Sequence, residues 1–100
     1  MFGSQMNFIE CPEAREMVTN DGAQLVDVRS PAEFGMGAIP GSLNVPLQAI
    51  HLACESLDKT KPVIVYCASG MRSEQAKGAL AQMGFTAVHN LGSVNKYFSC

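Results

Sequence analysis

One hundred residues suit a single domain, 1–100, with a modest core that needs neither disulfides nor metals to fold. At 47% hydrophobic and 16% charged, with a formal net charge of −2, the chain reads as globular and shows no basic patch, so neither nucleic acid nor a membrane is an expected partner. No apolar run reaches a membrane span, and Met1 to Met6 have neither the cationic nor the apolar region of a signal peptide, so a reducing, cytoplasmic setting is expected.

Asn7-Phe8-Ile9 is a short apolar piece that reads as an edge strand. Cys11-Pro12 then opens a helix, because proline suits the first helical turn. Ala14, Met17 and Val18 form its apolar stripe, and Asn20-Asp21-Gly22 stops it. Leu25 to Val28 is a second strand. Ser30-Pro31-Ala32-Glu33 has the pattern of a capping box and starts a short helix through Phe34, which Gly35, Gly37 and Ile39-Pro40-Gly41 keep short.

Leu43-Asn44-Val45 is a brief third strand. Leu47, Ile50, Cys54 and Leu57 recur at helical spacing, which places Cys54 on the apolar face as a small core residue. Pro62 to Tyr66 is a nearly continuous β-branched run, the pattern of a strand covered on both faces. Ala76, Ala79, Leu80 and Met83 mark one face of the next helix, with Gly84 as its stop. Gly78 within it points to close packing of helix on sheet. Thr86-Ala87-Val88 is the last strand, and Ser93 caps a short terminal helix through Tyr97 and Phe98. Alternating strands and helices specify an α/β domain: a mainly parallel five-stranded sheet with helices on both faces.

The richest stretch is Val63-Ile64-Val65-Tyr66-Cys67-Ala68-Ser69-Gly70-Met71-Arg72-Ser73. A buried strand runs into a glycine-containing loop and then a helix, with a cysteine at the junction. Ligands of parallel sheets gather at this carboxyl edge. Several backbone N–H groups and the positive end of the helix can point at one sulfur there, which favours the nucleophilic thiolate. A cysteine so placed can have a pKa of roughly 3.5–7.5, against about 8.5 when free.

The other cysteines are less distinctive. Cys11, Cys54, Cys67 and Cys100 are irregularly spaced and give no disulfide framework. Cys11 is placed at a helix start, and Cys100 in a mobile, exposed tail, with a resolving thiol as its alternative role. His51 and Cys54 have metal-like spacing but no second pair, so no metal and no cofactor are expected. His51 and His89 have no catalytic partner in the pattern. The six methionines read mostly as core filler, except Met71, whose place in the loop makes it an apolar rim.

Three stretches together resemble the rhodanese, or sulfurtransferase, domain family. Leu25-Val26-Asp27-Val28-Arg29-Ser30-Pro31-Ala32-Glu33-Phe34 is similar to its first signature, Ile39-Pro40-Gly41-Ser42-Leu43-Asn44-Val45-Pro46 to its second, and Val65 to Ser73 to its active-site loop. The resemblance runs from about Asn7 to Tyr97. It implies a rhodanese-like fold and a thiosulfate-sulfurtransferase type of enzyme. Cys67 would take the sulfane sulfur of thiosulfate or another persulfide donor, expel sulfite, and carry a persulfide to cyanide, a thiol or a protein acceptor. A persulfide carrier in a sulfur relay, with little turnover of its own, is the alternative.

By the same resemblance, the backbone of Ala68, Ser69, Gly70, Met71, Arg72 and Ser73 would stabilise the anionic sulfur. Arg72 would contact an oxyanion substrate or else brace the loop against a carboxylate. Ser73 is a loop hydrogen-bonder or a helix cap. Asp27 and Arg29 support the loop, with Glu33 as a partner for Arg29. Four residues separate Cys67 from Arg72. Phosphatases of related fold have one more, which makes room for a tetrahedral phosphate, so the shorter loop argues for sulfur. Three positions depart from the family pattern: Ala38 replaces a common histidine, Gly92-Ser93 a Gly-Gly pair, and Tyr97 a tryptophan.

Overall fold

In the computed structural model, which describes residues 6–100, the run after Pro62 is a central strand of a parallel sheet. The Met1 to Met6 reading therefore lies, for residues 1–5, outside the described residues. The elements in order are α1 (Cys11–Asn20), β1 (Gln24–Asp27), α2 (Pro31–Gly35), β2 (Leu43–Asn44), a first 3-10 helix (Leu47–Glu55), β3 (Val63–Cys67), α3 (Met71–Gln82), β4 (Val88–Ser93) and a second 3-10 helix (Val94–Phe98). The strand order is β2-β1-β3-β4, and all pairings are parallel.

All five residues of β3 are buried. Successive side chains on a strand point to opposite faces, so two separate layers form. Val63, Val65 and Cys67 meet Ala76 and Leu80 of α3 and Ile50 and Ala53 of the first 3-10 helix. Ile64 and Tyr66 meet Ala14 of α1, Leu91 of β4 and Tyr97. Burying one such aliphatic side chain contributes about 1.5–3 kcal/mol. Ser30 caps α2 as expected: its hydroxyl accepts from the Glu33 N–H, and the Glu33 carboxylate accepts from the Ser30 N–H.

Several expectations need correction. The sheet has four strands among the described residues rather than five, because residues 7–9 reach only one bridge, Phe8 to Asn90, before the chain turns into α1. The last strand is Val88–Ser93 rather than Thr86 to Val88. Pairing with β3 outweighs the poor strand propensity of Asn90 and Gly92. The helix after Pro46 is 3-10, with three residues per turn. Ile50 and Ala53 are therefore buried three apart, while Cys54 turns outward and is exposed instead of lying in the core. Gly78 faces solvent with nothing within 4 Å of where a Cβ would stand, so it reflects no close packing. Methionine fills the core only in part: Met17 and Met83 pack partly buried against it, whereas Met6 and Met36 are exposed.

The termini differ most from the reading. Cys11 and Cys100 form a disulfide across a sequence separation of 89 residues. The tail is tethered because the second 3-10 helix folds back on α1. Arg15 Nη2 donates to the Tyr97 carbonyl at 2.6 Å, and its guanidinium lies 4.2 Å from the centre of the Tyr97 ring. No helix among the described residues is long and apolar enough to cross a membrane.

Candidate active site

β1, β3 and β4 end at Asp27, Cys67 and Ser93 on one edge of the sheet. The chain leaves β3 at Cys67, passes the exposed Ala68 and Ser69, and turns at Gly70 into α3. Gly70 has φ +101°, a conformation costly for residues with a side chain. Space demands glycine as well. A Cβ there would lie 2.8 Å from the Phe8 ring and 3.3 Å from Gly92 Cα. The turn aims the Gly70 N–H at Cys67 Sγ, 3.0 Å away.

Cys67 is fully buried, and burial alone would push its thiol up. The Ser73 hydroxyl and the backbone N–H groups of Ser73, Gly70 and Ser69 outweigh that cost, and the thiol lies below its ordinary value. Ser73 Oγ is 3.4 Å from the sulfur. The 12-residue helix α3 begins at this point, adding the positive end of its dipole. Such a sulfur is an ionisable nucleophile in a site built to hold negative charge.

Asn90 is part of this site and was not singled out in the sequence. Its buried amide accepts from Ser73 Oγ at 2.7 Å and from the Gly92 N–H at 2.9 Å. It donates to the Gly70 carbonyl at 3.2 Å and to Glu74 Oε1 at 2.9 Å. A register irregularity allows this: Val65 opposes Asn90, but Tyr66 opposes Gly92, so Leu91 is skipped. The sequence signal was weak: an amide-bearing residue between His89 and Leu91, just past the run read as the last strand.

The two arginines are each taken by a carboxylate. Arg72 Nη1 and Nη2 bind Glu33 Oε1 and Oε2 at 2.7 and 3.0 Å. Glu33 thus partners Arg72 and not Arg29, because its role in the α2 cap turns it toward the loop. Arg72, followed by the Ser30 N–H, holds the Glu33 carboxyl at about 2. Arg29 folds onto Asp27 two residues earlier, with Nη2 at 2.7 Å from Oδ2, and also donates to the Gly37 carbonyl. Asn44 Nδ2 ties down the carbonyls of Asp27 and Arg29.

Of the residues proposed from sequence, Ala68, Ser69 and Met71 form an exposed rim, while Gly70 and Ser73 lie buried beneath it. His51 and His89 make no hydrogen bond with Cys67, and among the described residues no three His, Cys, Asp or Glu side chains converge as for a metal. A cleft of about 270 Å³ opens elsewhere, against Val18, Leu25, Leu43 and Leu57, and shares no residue with the loop.

Comparison with known proteins agrees with this geometry. The family model for the rhodanese-like domain matches residues 10–100. A sulfurtransferase of Allochromatium vinosum is 37% identical over 78 residues, which cover 78% of this chain and 73% of the relative. The thiosulfate sulfurtransferase PspE of Escherichia coli is 38% identical over 71 residues, covering 69% of this chain and 68% of its own. Among solved structures, a rhodanese with anions from E. coli superposes with a TM-score of 0.67 at 36% identity, covering 74% of this chain and 89% of that one. A human single-domain sulfurtransferase gives 0.74 at 25% identity, covering 91% and 93%. With the three motifs assembled on one edge of a parallel sheet, the chain belongs to the rhodanese-like domain family.

Proposed function

We propose that the protein is a sulfurtransferase that works through a persulfide on Cys67. The Cys67 thiolate attacks the outer sulfur of thiosulfate or of a related persulfide. A new S–S bond forms, the donor's S–S bond breaks, and sulfite or a thiolate leaves with the electron pair. An acceptor thiol, cyanide or protein then attacks the outer sulfur and returns Cys67 as thiolate. The N–H groups of residues 68–73 stabilise the anionic sulfur, and Asp27 and Arg29 keep the neighbouring turn in place. Ala68, Ser69 and Met71 would meet the acceptor at the rim. The observation that carries this reading is the Gly70 N–H at 3.0 Å from a buried sulfur at the head of α3. The names of the relatives support it.

The test is an intact-mass spectrum after thiosulfate. One added sulfur on Cys67, removed by a thiol, is the expected result, with thiocyanate release from cyanide lost in Cys67→Ser. An unchanged mass overturns it for thiosulfate. One observation favours a second reading, a carrier loaded by a partner's persulfide. Both terminal nitrogens of Arg72 are engaged by Glu33, so its fork is not free for a dianionic donor. Loading from a persulfide that far outpaces loading from thiosulfate would select the carrier.

A further inference from the structure

The direction of each hydrogen bond around Asn90 can be assigned without reference to hydrogen positions. The Gly92 N–H can only donate, so the atom facing it is the amide oxygen. The Gly70 carbonyl can only accept, so the atom facing it is the amide nitrogen. Both assignments agree. Ser73 Oγ, 2.7 Å from the oxygen, must therefore donate its one proton to Asn90. That leaves no Ser73 proton for Cys67 Sγ, 3.4 Å away on the other side. In the neutral site the only possible donor across that gap is the Cys67 S–H.

Ionisation reverses this. Once the Cys67 proton has gone to solvent, a thiolate and an amide oxygen compete for the Ser73 proton. The charge-assisted bond is the stronger, and Asn90 Oδ1 retains the Gly92 N–H as partner. We propose that Asn90 is a positioning residue that acts on Cys67 through Ser73: it holds the hydroxyl's proton while Cys67 is a thiol and yields it to the sulfur when Cys67 ionises. Asn90 thereby sets the threshold at which the nucleophile forms. The titratable and charged groups on the surrounding elements are Arg72, Glu74 and Lys77 of α3, Glu33 of α2, Asp27 with Arg29 at the end of β1, His89 of β4, and His51 and Glu55 of the first 3-10 helix. All are kept in every variant below.

Titration of the Cys67 thiolate, by ultraviolet absorbance in a Cys54→Ser background, tests the hand-over. Ser73→Ala raises the midpoint by about one pH unit, since the thiolate loses a donor. In an Asn90→Ala background Ser73 has no rival acceptor, so the same Ser73→Ala change produces a larger rise than it does beside Asn90. An equal or smaller rise overturns the proposal, because a residue that merely braces the loop gives that result. A second measurement needs no change at position 90. When Cys67 ionises, Asn90 Oδ1 loses the Ser73 donor and tightens on Gly92. The Gly92 amide proton of the otherwise unmutated chain then shifts downfield with the Cys67 midpoint, and the shift shrinks in Ser73→Ala. Equal shifts in both proteins overturn the proposal. These readouts follow ionisation rather than turnover, so their outcome is separate from that of the sulfur-transfer reading.

Discussion

Cys54 and Cys67 are the two free thiols, and the contrast between them shows what this fold adds to a cysteine. Cys54 sits near the end of a 3-10 helix, exposed, on a face that the helix's threefold repeat turns to solvent. Cys67 ends a fully buried strand, and the next residues fold into a cradle of donors at a helix N-terminus. Access to solvent thus belongs to one thiol and a stabilised anion to the other. Reactivity toward a sulfur donor should follow the second property, because the charge that develops on sulfur must be met by fixed dipoles.

The largest expected effect comes from removing each thiol in turn. Cys67→Ser abolishes persulfide formation, whereas Cys54→Ser leaves the rate within about twofold, as read by mass after exposure to a donor. A persulfide on Cys54 at a similar rate would erase the distinction. Next in size is the cradle itself. Gly70→Ala forces a side chain into a left-handed backbone and against the Phe8 ring, so it displaces the N–H that faces Cys67. Loss of one such donor typically lowers the rate by about 10²–10³-fold, and the alkylation rate of Cys67 should move toward that of Cys54.

The remaining predictions concern what holds the two regions in place. Cys100→Ser opens a long loop and should lower stability by about 2–4 kcal/mol, seen as a lower denaturation midpoint in the oxidised protein only. The same loss in reducing buffer would show that the disulfide was not its source. The Glu33–Arg72 pair gives the smallest effect and a pH signature. Glu33 is held at about 2, below its ordinary 4.5. Its contribution is therefore complete above pH 4.5 and is lost as pH falls through about 2. The melting temperature of Glu33→Gln should change less than that of the wild-type chain across this window, and parallel curves would exclude the pair as a stabilising contact. A last measurement sharpens the original contrast: the pH profile of Cys67 alkylation should have a midpoint below the ordinary thiol value of about 8.5.

Local chemistry was legible along the chain wherever neighbouring residues determine it. The β-branched run before Cys67, the Ser30–Glu33 capping box and the glycine at the loop turn all depend on contacts within a few residues, and each is found where the pattern put it. The strand–loop–helix pattern placed the loop and its cysteine at the carboxyl edge of the sheet, where they are found. Contacts between distant segments were less legible. Glu33 chose Arg72, 39 residues away, over the nearer Arg29, since Asp27 already held Arg29.

By itself, then, the sequence determined the strand–helix alternation, the caps and the cysteine-bearing loop, because dihedral preference and hydrophobic period act over a turn or two of chain. Tertiary structure alone decided that Asn90 closes the network behind Cys67, that Cys54 faces water, and that Cys11 meets Cys100. Each of these depends on which elements pack side by side and in what register. A skipped residue in β4 or a change from four-residue to three-residue helical spacing redirects a side chain without leaving a mark in composition or local pattern.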